Sequence, residues 1–392
     1  MRDGVVIVGG GPAGSVTALR LAQRGIGVTV VERTRFPRRK VCGEYLNVGT
    51  TKLLERIGLW DRVAAVGVPL EGIRLVTPWC DPVALAFREP ALALERLTFD
   101  ALLLEAAMRA GARVVYARAE DVLFRFGRAS GVVVRDGAGE RHQLWGRYVV
   151  GADGAGSLVA RRLRLAKRAR GPRRFALGGH YRGCGTLHRY VEMYVGREGY
   201  LALNPLDEQR VNVMLIVRES WLQTCASTVD DGMEKAAAAL SRGHRVLQQA
   251  ARDGPRACAG PLSFRVRGCV GAGALLVGDA AGFLDPFTGQ GVYLAVSGAI
   301  AAADTLAGAL AATENEPLLF ARYDRERNAE FSLRARLGRL AGALTSVPFL
   351  TRRAAAKLER VPRCADGLVA ALSGSSPPAG AFAPAQFVRL LL

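Results

Sequence analysis

The residues best placed to do chemistry come first in the chain. Gly9-Gly10-Gly11-Pro12-Ala13-Gly14 has the spacing G-x-G-x-x-G. Gly9, Gly11 and Gly14 permit a tight turn and the close approach of a pyrophosphate. With Pro12 and Ala13 they open a helix whose unpaired N–H groups and positive dipole end favour an anion. Glu32 stands at the end of the next apolar run, with Arg33 after it. An acid there can accept hydrogen bonds from ribose hydroxyls. The pattern predicts a dinucleotide held by Gly9, Gly11, Pro12, Ala13, Gly14, Glu32 and Arg33.

Three later segments narrow the choice of dinucleotide. Arg96-Leu-Thr-Phe-Asp100 precedes a helix that ends at Gly111. Val149-Val-Gly-Ala-Asp153-Gly154 follows a strand, and Gly278-Asp279 leads through Pro286 to Gly289-Gln290-Gly291. Asp279 at a strand end can bind a ribityl hydroxyl. Gly289–Gly291 gathers backbone N–H groups and a helix N-terminus near one spot. That geometry stabilises negative charge at the N1–C2 edge of a reduced isoalloxazine, which points to FAD.

These residues need elements to hold them. Gly4-Val-Val-Ile-Val-Gly9 reads as a strand, Ala13–Arg24 as a helix and Val28–Val31 as a second strand, which calls for a parallel sheet. Leu97–Ala110 reads as an amphipathic helix and Arg113–Tyr116 as a strand. Val132–Val134 and Tyr148–Val150 read as an inserted β-ribbon, with Gly137 and Gly139 in the turn between them. Phe175–Tyr181, His188–Val195, Tyr200–Leu203 and Val211–Val217 suggest an antiparallel sheet, with Leu206–Arg210 a hairpin connection. Asp230–Arg252 reads as helical, and Ala274–Val277 as a buried strand before a long helix from Gly291.

The expected fold class is α/β (α+β): a Rossmann-like FAD-binding domain with a parallel sheet, an antiparallel-sheet substrate domain and C-terminal helices. The expected divisions are 1–68, 96–170 and 255–340 for the FAD-binding domain, and 69–95 and 171–254 for the substrate domain. The region 341–392 is expected to be helical, with 373–384 flexible.

In this order the motifs resemble the single-component FAD proteins. That superfamily includes para-hydroxybenzoate hydroxylase-type monooxygenases, geranylgeranyl reductases and flavin-dependent halogenases. The resemblance runs from residue 1 to about 340. It implies that Gly9–Gly14 holds the pyrophosphate and Glu32 the adenosine ribose. It places Arg96 by the FAD phosphates, Asp153 near the pyrophosphate and a nicotinamide route, and Asp279 at the ribityl chain and pyrophosphate.

Lys40-Val-Cys42-Gly43-Glu44 resembles the K-x-C-G-E segment of the geranylgeranyl reductase-like branch. The resemblance places Cys42 and Gly43 close to the flavin ring, where Cys42 either tunes the flavin, donates a proton or fills space as a small hydrophobe. Gly199-Tyr200-Leu-Ala-Leu-Asn-Pro205 sits where halogenases carry G-W-x-W-x-I-P and prenyl reductases Y-x-W-x-F-P. Ala202 replaces the central Trp and Asn204 an apolar residue, and no equivalent of the halogenase's catalytic lysine is evident. Cys42, Tyr200 and Pro286 are the catalytic candidates. His142, His180, His188 and His244 show no metal-ligand spacing, so no metal site is expected.

Of the 392 residues, 50% are hydrophobic, which excludes general disorder. The formal net charge is +19, from 54 Lys and Arg against 35 Asp and Glu. No nucleic-acid-binding motif accompanies it. Arg161–Arg174 packs eight basic residues into fourteen positions. It is the candidate docking patch for a carrier protein or a membrane surface, against the alternative of a solvated helix face. Seven cysteines without a C-x-x-C fit a reducing compartment, so a cytoplasmic location is expected, with peripheral membrane association an option. The apolar stretch Gly291–Ala312 contains Ser297 and Asp304 and reads as a buried helix, not a membrane span.

The leading expectation is an FAD-dependent monooxygenase, of hydroxylase or epoxidase type. It would use NAD(P)H as a transient reductant and act on a hydrophobic aromatic, quinol or polyketide-type metabolite. The alternative is a reductase of C=C bonds in a prenyl or polyketide lipid. A non-redox flavin-dependent cyclase ranks third.

Overall fold

The computed structural model describes residues 4–167, 173–184, 188–196, 198–225, 250–311, 315–360 and 362–376, with isolated positions between 228 and 248. Runs of valine buried on both faces build its parallel sheet. Val5–Val8 lies centrally, with Val5 opposite Val28 on one side and Tyr148 on the other. Arg113–Tyr116 extends the sheet beyond Val28–Glu32, and Ala274–Leu276 extends it beyond Tyr148–Gly151. Val270–Gly271 pairs antiparallel at the edge.

The ribbon departs from its expected membership. Tyr148–Gly151 is not in it, because all four residues are buried and belong to the parallel sheet. The ribbon has three strands, Arg118–Arg125, Arg128–Arg135 and Arg141–Trp145. Gly137 and Gly139 turn between the last two.

Among the described residues the second sheet has nine strands. Arg174–Arg182, Arg210–Arg218, Gly199–Pro205 and Tyr190–Val195 neighbour one another in that order, and Val68–Val76 and Val83–Ala93 continue it. It is not wholly antiparallel: Tyr190–Tyr194 pairs in parallel with Gly72–Val76. His188 falls in a turn before this strand, exposed and with φ 45°. Two short strands cross the expected divisions. Tyr45–Leu46 joins Val83–Ala93, and Ala257–Ala259 joins Arg174–Arg182. The expected Asp230–Arg252 helix lies mostly outside the described residues, and Ala251–Arg252 is extended and pairs with Tyr181–Arg182.

The helix Pro12–Ala22 packs between the parallel sheet and the helix Gly291–Ala311. That long helix is apolar enough to cross a bilayer by composition, yet half of it is buried in the fold. Its inner face is built from small residues, Ala299, Ala302 and Ala303, which let the two helices approach closely. Three helices follow, Glu316–Ser346, Pro348–Arg360 and Pro362–Leu372. The start of the expected flexible stretch is docked: Ser373 is buried, and its carbonyl accepts from the Gly49 N–H at 2.9 Å. Residues 377–384 lie outside the described residues.

Candidate functional site

A cavity of about 1560 Å³ is lined by residues from both sheets. It is larger than the ~300–1,000 Å³ of ordinary small-molecule sites, so it has room for a dinucleotide and a substrate. The Gly9–Gly14 loop forms one wall. Gly9 has φ 103°, a left-handed conformation that a side chain resists. A Cβ on Gly14 would stand 1.8 Å from the Gly9 carbonyl, so glycine there closes the turn and does not itself line the cavity. Gly11, Pro12 and Ala13 do line it.

Glu32 is buried and lines the cavity. Its carboxylate accepts from Gly10 N–H at 2.8 Å and Thr34 N–H at 3.0 Å, leaving lone pairs toward the opening. Arg38 Nε lies 3.8 Å from Glu32 and Arg38 Nη1 3.5 Å from Asp100. Arg33 is exposed at the cavity edge.

Asp279 and Gly278 sit in a short 3₁₀ turn against Ala13, and Lys40 Nζ stands 3.9 Å from Asp279. Pro286, Gly289 and Gly291 complete that side. The Gly291 position faces open space, as does Gly43 across the cavity, and a Cβ on Gly11 would meet only the end of Arg38. Bare backbone therefore faces the cavity at three separate points, as a bound diphosphate and ring system require. The residues present fit FAD.

Three expected site residues have other work. Gln290 turns away from the cavity. Its amide oxygen accepts from Arg334 Nη1 at 2.6 Å and Asn47 Nδ2 at 3.3 Å, and its nitrogen donates to the Leu372 carbonyl. Asp153 lines the cavity, but its oxygens accept from Ser157 and from Leu158 N–H, capping the helix Leu158–Arg162. Burial raises its carboxyl above the usual range, against these hydrogen bonds. Arg96 is buried and bidentate to Asp100 at 2.7 and 2.8 Å. Burial works against its charge, and Asp100 together with the neighbouring Cys42 outweighs that and raises it.

Cys42 is the centre of a loop held from the second sheet. Asn212 Nδ2 donates to the Cys42 carbonyl at 2.8 Å. Asn204 Nδ2 donates to the carbonyls of Gly43 at 3.1 Å and Glu44 at 2.7 Å. Glu44 has φ 56°, and its carboxylate takes the Arg96 N–H at 3.1 Å and faces His180 Nε2 at 2.8 Å. The hydrogen bond to Glu44 raises the His180 imidazole above its usual range, against burial. The motifs assign no role to Asn204, Asn212 or Glu44, and for His180 they offer only a place on a strand that can face a ligand. A partial signal exists: Asn204 and Asn212 sit opposite each other across the hairpin.

Tyr200 is buried at the cavity, its hydroxyl donating to Asp285 at 3.2 Å and its ring edge-on to Phe287 at 5.0 Å. Burial and the Asp285 carboxylate hold the phenol protonated. The adjoining wall is aliphatic, with Ile73, Val191, Met193, Met214 and Ile216. The Arg161–Arg174 patch does not stand free as a unit. Arg162 pairs with Asp121, Arg173 with Glu219 and Arg174 with Asp285, and residues 168–172 lie outside the described residues.

Comparison with known proteins agrees with this geometry. The family model described as an FAD binding domain matches residues 3–332. A digeranylgeranylglycerophospholipid reductase from Methanothermobacter thermautotrophicus is 31% identical over 86% of this chain and 87% of its own. A 1H-pyrrole-2-carbonyl-[peptidyl-carrier protein] brominase from Pseudoalteromonas luteoviolacea is 25% identical over 78% and 77%. The solved structure of a flavin-dependent brominase superposes with a TM-score of 0.87 at 22% identity, covering 99% of this chain and all of that one.

Proposed function

The chain belongs to the FAD-binding domain family, and from that premise we propose that it reduces a C=C bond in an elongated apolar lipid. It is a flavin-dependent oxidoreductase. The observation that carries the finer reading is the placement of Cys42 on the cavity wall beside the Arg96 guanidinium. When bound in its reduced form, FAD supplies a hydride. Addition of hydride to a double bond needs a proton at the other carbon. The Cys42 thiol gives that proton, and Arg96 stabilises the negative charge left on sulfur. The aliphatic wall from Ile73 to Ile216 holds the chain and excludes water, while Asn204, Asn212 and His180 fix the Cys42 loop. Within this reading, Gly9–Gly14, Glu32 and Asp279 hold the cofactor, and NAD(P)H is the external reductant.

The monooxygenase is the second reading. What favours it is the apolar wall with a protonated phenol, Tyr200, at its edge, which suits an aromatic or quinol substrate. Halogenation has relatives behind it, but Lys40, the lysine among the described lining residues, pairs with Asp279. The brominase relative acts on a carrier-bound pyrrole, so carrier-bound substrates belong in the screen.

The deciding experiment mixes chemically reduced, FAD-loaded protein with polyprenyl lipids and menaquinone without oxygen. Flavin reoxidation with a product two mass units heavier is expected. No anaerobic reoxidation, with one oxygen atom added in air, transfers the assignment to the monooxygenase. Product formation only with bromide or chloride in air transfers it to the halogenase.

A further inference from the structure

The tip of the three-stranded ribbon breaks two rules at once. Arg125 pairs with Arg128, so Phe126 and Gly127 form a two-residue hairpin turn. Both have positive φ, 50° and 76°. Turns of this kind favour Asn, Asp or Gly first, and a bulky residue there is strained. Phe126 nevertheless holds that place with 97% of its surface exposed, and Phe124 beside it is 47% exposed. A phenyl ring that costs backbone strain and gains no packing within the chain is one that packs elsewhere.

The surroundings are basic and apolar. Arg125 lies over the Trp145 ring, and Arg128 reaches Glu316 at the start of the helix Glu316–Ser346. Pro317 and Leu318, the latter 69% exposed, follow Glu316 in the first turn of that helix. The chain as a whole carries +19.

We propose that the ribbon tip, Phe124–Arg128 with Leu318, docks the protein onto an anionic lipid bilayer. The phenyl rings enter the interface, and Arg125, on the Trp145 ring, faces the headgroups. Aromatic and basic side chains presented together are what such an interface takes. This surface is separate from the cavity, and the proposal stands whichever reaction the cavity performs.

The test is co-sedimentation of FAD-loaded full-length protein with vesicles of phosphatidylcholine alone or mixed equally with phosphatidylglycerol. Binding to the mixed vesicles, weakened by salt, is expected, with little binding to phosphatidylcholine. Phe126→Asp should lower partitioning about tenfold and Arg125→Glu about fivefold or more. Phe126→Gly is the sharper variant. It relieves the strained turn, so it should raise Tm while lowering vesicle binding. Wild-type protein that stays in solution with mixed vesicles overturns the proposal, as does unchanged binding by Phe126→Gly. A concentration-dependent dimer that Phe126→Asp abolishes also overturns it, in favour of contact between two copies.

Discussion

His180 Nε2 and the Glu44 carboxylate stand 2.8 Å apart, tying the second sheet to the loop that carries Cys42. The hydrogen bond to Glu44 raises the imidazole, burial opposes it, and Glu95 adds while Arg39 subtracts. A raised folded value means the stabilisation is complete below the unfolded imidazole pKa of about 6.5. It fades as pH climbs through the folded value. His180→Gln should therefore lower Tm most in mild acid, and the gap to wild type should narrow above neutrality. Thermal melts across that range check this; a gap that widens with pH contradicts it.

Asn204→Leu should destabilise by about 1–2 kcal/mol, because it takes one donor from the half-buried Gly43 carbonyl and one from the Glu44 carbonyl, which keeps the Leu94 N–H. It should also loosen the loop, so that Cys42 reacts faster with a thiol reagent. Asn212→Leu should act in the same direction through one carbonyl. Denaturant titration and alkylation rates measure the two effects. Unchanged Cys42 reactivity in both variants would mean the loop is held by something else.

Gly14→Ala and Gly11→Trp should fail differently. An alanine methyl at Gly14 collides with the Gly9 carbonyl, so the protein should be poorly folded. Gly11 faces the cavity, so tryptophan there should leave a folded but largely colourless protein. Circular dichroism and the flavin-to-protein absorbance ratio separate the two. A fully flavinated Gly11→Trp protein would remove this loop from the cofactor site.

Cys42→Ser should retain FAD and lose turnover by about 10²-fold, the low end for a positioned proton donor. Cys42→Ala should lose at least as much. Equal turnover in all three proteins would leave Cys42 a space-filling residue.

Tyr200→Phe keeps the edge-on contact with Phe287 and gives up one hydroxyl bond to Asp285. Stability should fall by about 1 kcal/mol and turnover by less than threefold. A turnover loss of a hundredfold would restore the phenol to a chemical role.

The segments proposed to hold the cofactor were largely legible because their signals are local. Gly9–Gly14 with Glu32, and Gly278–Gly291, are strand–turn–helix patterns complete within a few dozen residues. The same locality misleads at Gln290. It sits between two glycines that face the cavity, but Arg334 and Leu372 draw its side chain away, and neither is near in sequence. Tyr148-Val-Val resembles the ribbon valines in composition, and only burial on both faces puts it in the parallel sheet. The Cys42 clamp was not legible for a like reason. Its side-chain partners from the second sheet, Asn204, Asn212 and His180, lie more than 130 residues away, and only the pairing of Asn204 with Asn212 could be read from the hairpin.

The buried Arg334 knot has a temporal side. Gln290 joins Asn47, Arg334 and Leu372, so the Gly289–Gly291 loop is braced by segments from the beginning and the end of the described chain. A nascent polypeptide cannot complete that brace until residue 372 has left the ribosome. That brace is thus among the last contacts of the described fold to form during synthesis. A chain that stops short of the last described helix would be born with its Gly9–Gly14 loop intact and its Gly289–Gly291 loop unsupported.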